Sequence, residues 1–153
     1  MTEQPARPCA LSPYLTVKNA KAAIEFYRRA FAAVELFRLT GPDGRIGHAE
    51  LSIEGATVML SDEWPDFAAL SPPTIGGTPV KLHVYVADCD AVVARAVAAG
   101  ATLMRPVADQ FYGDRSGMIA DPFGHVWFVA TLKEQVAPAE MQRRWEAALA
   151  GPA

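Results

Sequence analysis

The sequence predicts an α+β fold made of two βαβββ modules followed by a C-terminal helix. The first observation is a faint internal repeat: Val17 and Val86 each end a strand-like run, Gly55 and Gly124 each open another, and both pairs are 69 residues apart. The second is that apolar residues in each half follow strand alternation and then helix spacing. The third is length, because 153 residues suffice for one domain with a core but not for two independent domains.

The first module is predicted to span residues 11–61, within a domain of residues 10–132. Its first strand ends at Val17, and Asn19 can cap a helix whose apolar residues recur at core spacing as far as Phe31. Turn residues then separate three further strands, predicted at 34–39, 47–53 and 56–60.

The second module is predicted at residues 80–132 with the same order of elements and no gap in the alignment of the halves. A strand leads into a helix that Gly100 ends, and a glycine-containing loop is expected at 111–117. The four strands of this half are predicted at 81–86, 102–107, 118–120 and 125–131.

Two segments lie outside the modules. Residues 62–79 are rich in proline and glycine, which predicts an irregular connector or a lid. In the tail of residues 133–153, Met141, Trp145 and Leu149 have helix spacing, so we expect a helix over 138–149 that docks on the body or on a second subunit.

Composition excludes several functional classes. A formal net charge of -3 gives no basic surface for nucleic acid, so no nucleic-acid partner is expected. The longest apolar runs are far short of the ~20 residues that cross a bilayer, and Met1 to Pro8 lacks an apolar signal core. The expectation is therefore a cytoplasmic protein without a membrane partner, in which Cys9 and Cys89 are reduced.

Strand alternation predicts one apolar face and one mixed face for each sheet. A solvated face usually carries Lys, Glu and Thr, and that is the simpler alternative here. The mixed faces instead collect aromatic, histidine and methionine side chains, which favours a concave ligand surface. The residues assigned to it are Tyr14, His48, Glu50, Met59, Lys81, His83, Tyr85 and Phe128.

Several motifs resemble those of the glyoxalase, bleomycin-resistance and extradiol-dioxygenase superfamily, also called the vicinal oxygen chelate fold, in its PhnB-like or resistance-like branch. The resemblance extends over about Ser12 to Leu132, and the motifs are Tyr14–Val17 with Ala22–Tyr27, His83–Asp88 with Ala98–Ala101, and Asp121-Pro122-Phe123-Gly124-His125. It implies paired modules that curve around one cup, commonly in a homodimer. Many members of the superfamily act on a substrate at a metal ion, and others sequester an aromatic antibiotic.

Metal-dependent members of that superfamily place one ligand on the first strand and one on the fourth strand of each module. The corresponding positions here are Ser12, Met59, Lys81 and Phe128. None of these is an ordinary ligand of a divalent ion, and a lysine ammonium would repel one. The resemblance therefore predicts no metal at those positions and implies no other cofactor.

A displaced metal site is the main alternative. His48 and Glu50 are two apart on one strand, and His83 is assigned to the same kind of face, so the three could form a two-His-one-carboxylate set for a lyase, isomerase or dioxygenase. The simpler interpretation is that they are polar wall groups. Glu50 is also a candidate for a general base.

Aromatic residues carry the binding hypothesis. Tyr14, Tyr85 and Phe128, with Trp64 in the connector and Tyr112 in the loop, are predicted to clamp a flat ligand. Packing against the body is the alternative for Trp64.

The guanidinium fork of Arg115 is expected to grip an anionic group, with an ordinary surface role as its alternative. The predicted function is binding of a small, partly aromatic organic molecule without a metal, including sequestration of a toxic compound. Whether the chain is also catalytic stays open, and a ligand-free structural or regulatory dimer is a third hypothesis.

Overall fold

The computed structural model describes residues 9–152 and begins with a βαβββ module, module one. Its elements are β1 (Tyr14–Val17), α1 (Ala20–Phe31), β2 (Val34–Thr40), β3 (Ile46–Ile53) and β4 (Ala56–Asp62). The sheet order is β1-β4-β3-β2, with β1 parallel to β4 and the other pairs antiparallel.

The connector contains a 3-10 turn at Pro65–Phe67 and the short helix α2 (Pro72–Ile75). Glu63 fixes this segment, because its Oε1 accepts hydrogen bonds from the Ser71 backbone N at 2.8 Å and from the hydroxyls of Ser71 and Thr74. These donors, the Ser71 hydroxyl first, lower the pKa of Glu63 to about 2.

Module two repeats the arrangement, which confirms the predicted α+β fold of paired βαβββ units. Its elements are β5 (Lys81–Tyr85), α3 (Cys89–Ala98), β6 (Thr102–Asp109), β7 (Asp114–Ala120) and β8 (Val126–Leu132), in the sheet order β5-β8-β7-β6. Helix α4 (Pro138–Ala150) follows, as the spacing of its apolar residues predicted. None of the helices in residues 9–152 has both the length and the apolar character needed to cross a membrane.

The two halves do not align without a gap, which corrects the sequence-based repeat. Strand β1 pairs with β4 as β5 pairs with β8, and Met59 corresponds to Phe128 at an offset of 69. On the neighbouring strands, however, Glu50 is paired with Met59 and Met118 is paired with Phe128. Glu50 therefore corresponds to Met118, at an offset of 68. Module two therefore has one residue more in the turn between its last two strands.

The loop predicted at 111–117 is also too long. Asp114 pairs with Leu132 and Arg115 with Thr131, so β7 begins at Asp114. The start of this strand was not predicted because polar residues and glycine have low β-propensity. Pairing with a strand on each side holds these residues in the sheet.

The helices begin where their caps predict. Asn19 accepts a hydrogen bond from Ala22 N at 3.0 Å, and Asp88 accepts one from Ala91 N at 3.1 Å. This confirms Asn19 as the cap of α1.

One buried core lies between the modules, and α1 supplies most of its aromatic side chains. The Phe31 ring centroid is 4.7 Å from that of Trp127 in module two, and Phe26 lies 6.2 Å from Phe123. Helix α1 therefore packs both against the sheet of its own module and against module two.

Asp121 joins the modules through hydrogen bonds on both carboxylate oxygens. The Tyr27 hydroxyl donates to Oδ2 at 2.6 Å and Trp127 Nε1 donates to the same oxygen at 3.0 Å. Backbone N–H groups of Phe123 and His125 donate to Oδ1 at 2.9 and 3.0 Å. Burial, with the Asp121 carboxylate beside it, raises the pKa of Tyr27 well above its ordinary value.

Candidate ligand-binding faces

Each sheet has one face packed on the core and one face turned away from it. Directly paired residues lie on the same face of a sheet. The strand pairing therefore defines the module-one face, made of Tyr14, Phe37, His48, Glu50 and Met59. It likewise defines the module-two face, made of His83, Tyr85, Arg105, Ser116, Met118 and Phe128.

The module-one face carries a chain of hydrogen bonds. The Tyr14 hydroxyl lies 2.8 Å from His48 Nδ1, and His48 Nε2 lies 3.2 Å from Glu50 Oε1. If the imidazole is neutral with its proton on Nε2, it donates to Glu50 and accepts from Tyr14. Tyr14 is 52% exposed and Phe37 lies 5.6 Å from His48 between ring centroids, so rings and polar groups both face solvent.

The module-two face has its own buried carboxylate. The Tyr85 hydroxyl donates to Asp114 Oδ2 at 3.0 Å, and Asp114 is 4% exposed. This hydrogen bond, followed by partial desolvation, raises the pKa of Tyr85. The His83 ring centroid is 4.8 Å from that of Tyr85 and 6.0 Å from that of Phe128, which places three rings side by side.

Arg105 reaches the module-two face because of a β-bulge in β6. Leu103 pairs with Ile119 and Arg105 pairs with Met118, so two steps on β6 match one step on β7. Without the bulge, Arg105 would share the core-side face of Ile119. Arg105 was not among the residues predicted from the sequence, since no local signal marks where a bulge reverses strand parity.

Two clefts border the module-two face. One of about 680 Å³ lies between the sheet and the C-terminal segment and is lined by Tyr85, Tyr112, Asp114 and Met141, among others. The other, of about 380 Å³, lies at the junction of the modules. It includes Ser12, Lys81 and His83 among its lining residues.

The remaining predicted residues divide by position. Trp64 lies beside Tyr14 along a cleft of about 330 Å³, with the Arg45 guanidinium 4.1 Å from its ring centroid. The Tyr112 hydroxyl is 3.3 Å from Ser116 Oγ, next to the module-two face.

Arg115 lies on the other side of its sheet and does not reach the module-two face. Its guanidinium forms ion pairs with Asp90 at 2.7 Å and Asp109 at 3.1 Å. The strand that begins at Asp114 turns Arg115 toward α3, so the anion-gripping role suggested by the sequence does not fit its position.

The chain does not bring His48, Glu50 and His83 together. His48 and Glu50 lie on module one, whereas His83 lies on module two with Asp114 as its nearby carboxylate, 3.9 Å from Nε2 to Oδ2. Across residues 9–152, three or more His, Cys, Asp or Glu side chains nowhere form a group that could hold a metal ion. The three-residue metal site offered as an alternative is thus not formed within one chain.

The positions that hold the metal in relatives do not fit a metal here either. Met59 and Phe128 lie on β4 and β8, paired with Tyr14 and His83, and neither offers an oxygen or nitrogen donor. On the first-strand side, Lys81 adds a positive charge and Ser12 only a neutral hydroxyl.

Paired βαβββ modules with two open four-stranded sheets define the vicinal oxygen chelate fold. The family model of the Glyoxalase/Bleomycin resistance protein/Dioxygenase superfamily matches residues 9–129, and the chain belongs to that superfamily. The family resemblance seen in the sequence is thereby confirmed.

Relatives extend over nearly the whole chain. The uncharacterized protein Rv0887c of Mycobacterium tuberculosis (strain ATCC 25618 / H37Rv) is 48% identical over 136 residues, which cover 87% of this chain and 80% of that one. Among solved structures, TioX from Micromonospora sp. ML1 has a TM-score of 0.65 at 26% identity, covering 81% of this chain and 98% of its own. The At5g48480 gene product of Arabidopsis thaliana has a TM-score of 0.64 at 28% identity, covering 80% and 98%.

Proposed function

We propose that the protein binds a small, partly aromatic organic molecule on its open sheet faces, without a metal ion, and acts by sequestering it. The observation that carries the proposal is the chemistry of these faces. Met59 and Phe128 stand at positions where a catalytic metal would need oxygen or nitrogen ligands, and the rings of Tyr14, His83 and Tyr85 lie beside them. A flat ligand gains from offset and edge contacts with such rings, by about 0.5–1.5 kcal/mol per pair beyond the area buried.

We further propose a homodimer in which a second copy covers the open faces. Tyr14 and Tyr85 are 52% and 53% exposed, and Phe37, Leu39 and Leu132 on the same faces are also exposed. Apolar surface of this kind on both sheets is typical of an interface or a ligand site. The proposed setting is the cytoplasm, which suits the free thiols Cys9 and Cys89.

Ligand binding is tested by screening aromatic compounds against the untagged full chain in a thermal-shift assay. A binder present at 100 times its dissociation constant is expected to add about 2.7 kcal/mol of apparent stability. We expect Tyr85→Ala and Phe128→Ala to weaken binding. Trp145→Ala, which removes an exposed ring on α4 outside both faces, is the matched control and leaves binding unchanged.

Metal independence and assembly have separate measurements. Binding is expected to be the same after dialysis against a chelator, and elemental analysis that finds one tightly held transition metal per chain would contradict the proposal. Sedimentation equilibrium is expected to give the mass of two chains. A monomer that binds ligand with full affinity would overturn the dimer and leave the binding function standing.

A further inference from the structure

The structure assigns an oxyanion-binding subsite to Arg105, and we infer that the molecule bound is an aromatic carboxylic acid. This inference rests on the proposed function and specifies the class of ligand. Arg105 occupies the module-two face, where its guanidinium lies 5.1 Å from the centroid of the Phe128 ring.

The hydrogen bonds of Arg105 are incomplete. Its Nη2 donates to Ser116 Oγ at 3.3 Å, whereas its Nε is buried and has no partner among residues 9–152. A buried donor without an acceptor costs about 1–3 kcal/mol, more when it is charged. Within the described residues the guanidinium therefore makes a single hydrogen bond and keeps unused donor capacity.

The charge of Arg105 is also unmatched. Most arginines of the described chain pair with a carboxylate, as Arg38 does with Glu35 at 2.6 Å, but Arg105 forms no ion pair with a described residue. Asp114, the buried carboxylate beside the same face, accepts instead from the Tyr85 hydroxyl. An anionic ligand would therefore meet a cation that no protein carboxylate neutralises.

The chemistry of this face favours a planar anion joined to a ring. The guanidinium fork matches the two oxygens of a carboxylate, and the Phe128 ring centroid lies 5.1 Å from it. His83 and Tyr85 continue the row of rings along the same face. Module one lacks this cation, because Phe37 has the position of Arg105 in the strand pairing. The subsite therefore belongs to module two alone.

The test compares 2-naphthoate with its neutral isostere 2-naphthamide by calorimetric titration of the full chain. We expect the acid to bind at least about tenfold more tightly than the amide. Arg105→Met is expected to weaken binding of the acid by about tenfold to a hundredfold, which is the effect of losing one charged hydrogen-bonded contact. Binding of the amide is expected to be unchanged. Arg105→Lys keeps the charge without the fork and should give an intermediate loss.

Arg95→Met is the matched control, because Arg95 is an exposed arginine that also lacks a carboxylate partner but lies on α3, away from both faces. Circular dichroism checks that each variant is folded. The ratio of the wild-type affinities for the acid and the amide tests the proposal independently of any variant. Equal wild-type affinities for acid and amide would overturn the Arg105 subsite and leave the proposed binding function intact. Absence of binding by both naphthalene probes would count against both proposals.

Discussion

The two modules have the same order of elements and the same strand pairing, yet matched positions carry different side chains. Where α1 has Tyr27, α3 has Ala96 at the corresponding place, and where β3 ends at Ile53, module two has Asp121. Both modules supply rings to the contact between them, but module one supplies the Tyr27 hydroxyl and module two supplies the Asp121 carboxylate that accepts its hydrogen bond. The repeat is one of backbone geometry, and the contact between its halves is asymmetric.

The open faces differ in the same way. Module one presents Phe37 and the polar pair His48 and Glu50, whereas module two presents Arg105 and Ser116. Equivalent backbone positions therefore offer an aromatic and acidic surface on one sheet and a cationic one on the other. This difference shows that two modules with the same strand pairing can present chemically unlike open faces.

The largest expected effect comes from Asp121→Ala. It leaves the buried Tyr27 hydroxyl and Trp127 N–H without an acceptor, so we expect a loss of about 3–5 kcal/mol in the free energy of unfolding. Urea unfolding followed by circular dichroism measures it. The module-one counterpart Ile53→Val should cost only about 1 kcal/mol, and equal losses would show that the joint is not asymmetric.

Tyr27→Phe should cost about 1.5–3 kcal/mol at pH 7, because it removes one hydrogen bond to a carboxylate and keeps the ring. The raised pKa of Tyr27 also sets a pH dependence. In the unfolded chain the phenol ionises near pH 10 and in the folded chain it stays protonated, so its contribution is complete below pH 10 and falls as the pH rises further, by at most about 1.4 kcal/mol per pH unit. Between pH 8 and 11 the free energy of unfolding should fall more steeply with pH for the wild type than for Tyr27→Phe. The same pH dependence in both proteins would rule out this linkage.

The smallest expected effect concerns the close approach of β6 and β7. A Cβ at Gly117 would lie 2.9 Å from Val107 Cγ2 and 3.2 Å from the Arg105 carbonyl oxygen, so Gly117→Ala should cost about 1–3 kcal/mol in thermal unfolding. The module-one position holds Ala49, and Ala49→Gly should cost about 0.5–1 kcal/mol. A Gly117→Ala protein as stable as the wild type would mean that the bulged strand next to it adapts freely.

Sequence patterns predicted much of the fold and part of the site. Asn19 and the apolar spacing of α1 were sufficient for that helix, and alternation placed His48 and Glu50 on one face with Tyr14. Arg115 was predicted to bind an anion because it lies in a glycine-containing loop that resembles the one bordering the cup in resistance-like proteins. The structure instead turns Arg115 toward α3, and the bulge in β6 places Arg105 on the open module-two face.

By itself the sequence determined the order of elements and the two-module plan, because periodicity, caps and turn residues act over a few neighbouring residues. Only the tertiary structure decided which arginine lies on the open module-two face and how Asp121 joins Tyr27 to Trp127 through hydrogen bonds. It also decided that His48, Glu50 and His83 do not form one metal-binding group. These features depend on strand register and on packing between segments about 100 residues apart in the chain, and no local pattern encodes such long-range contacts.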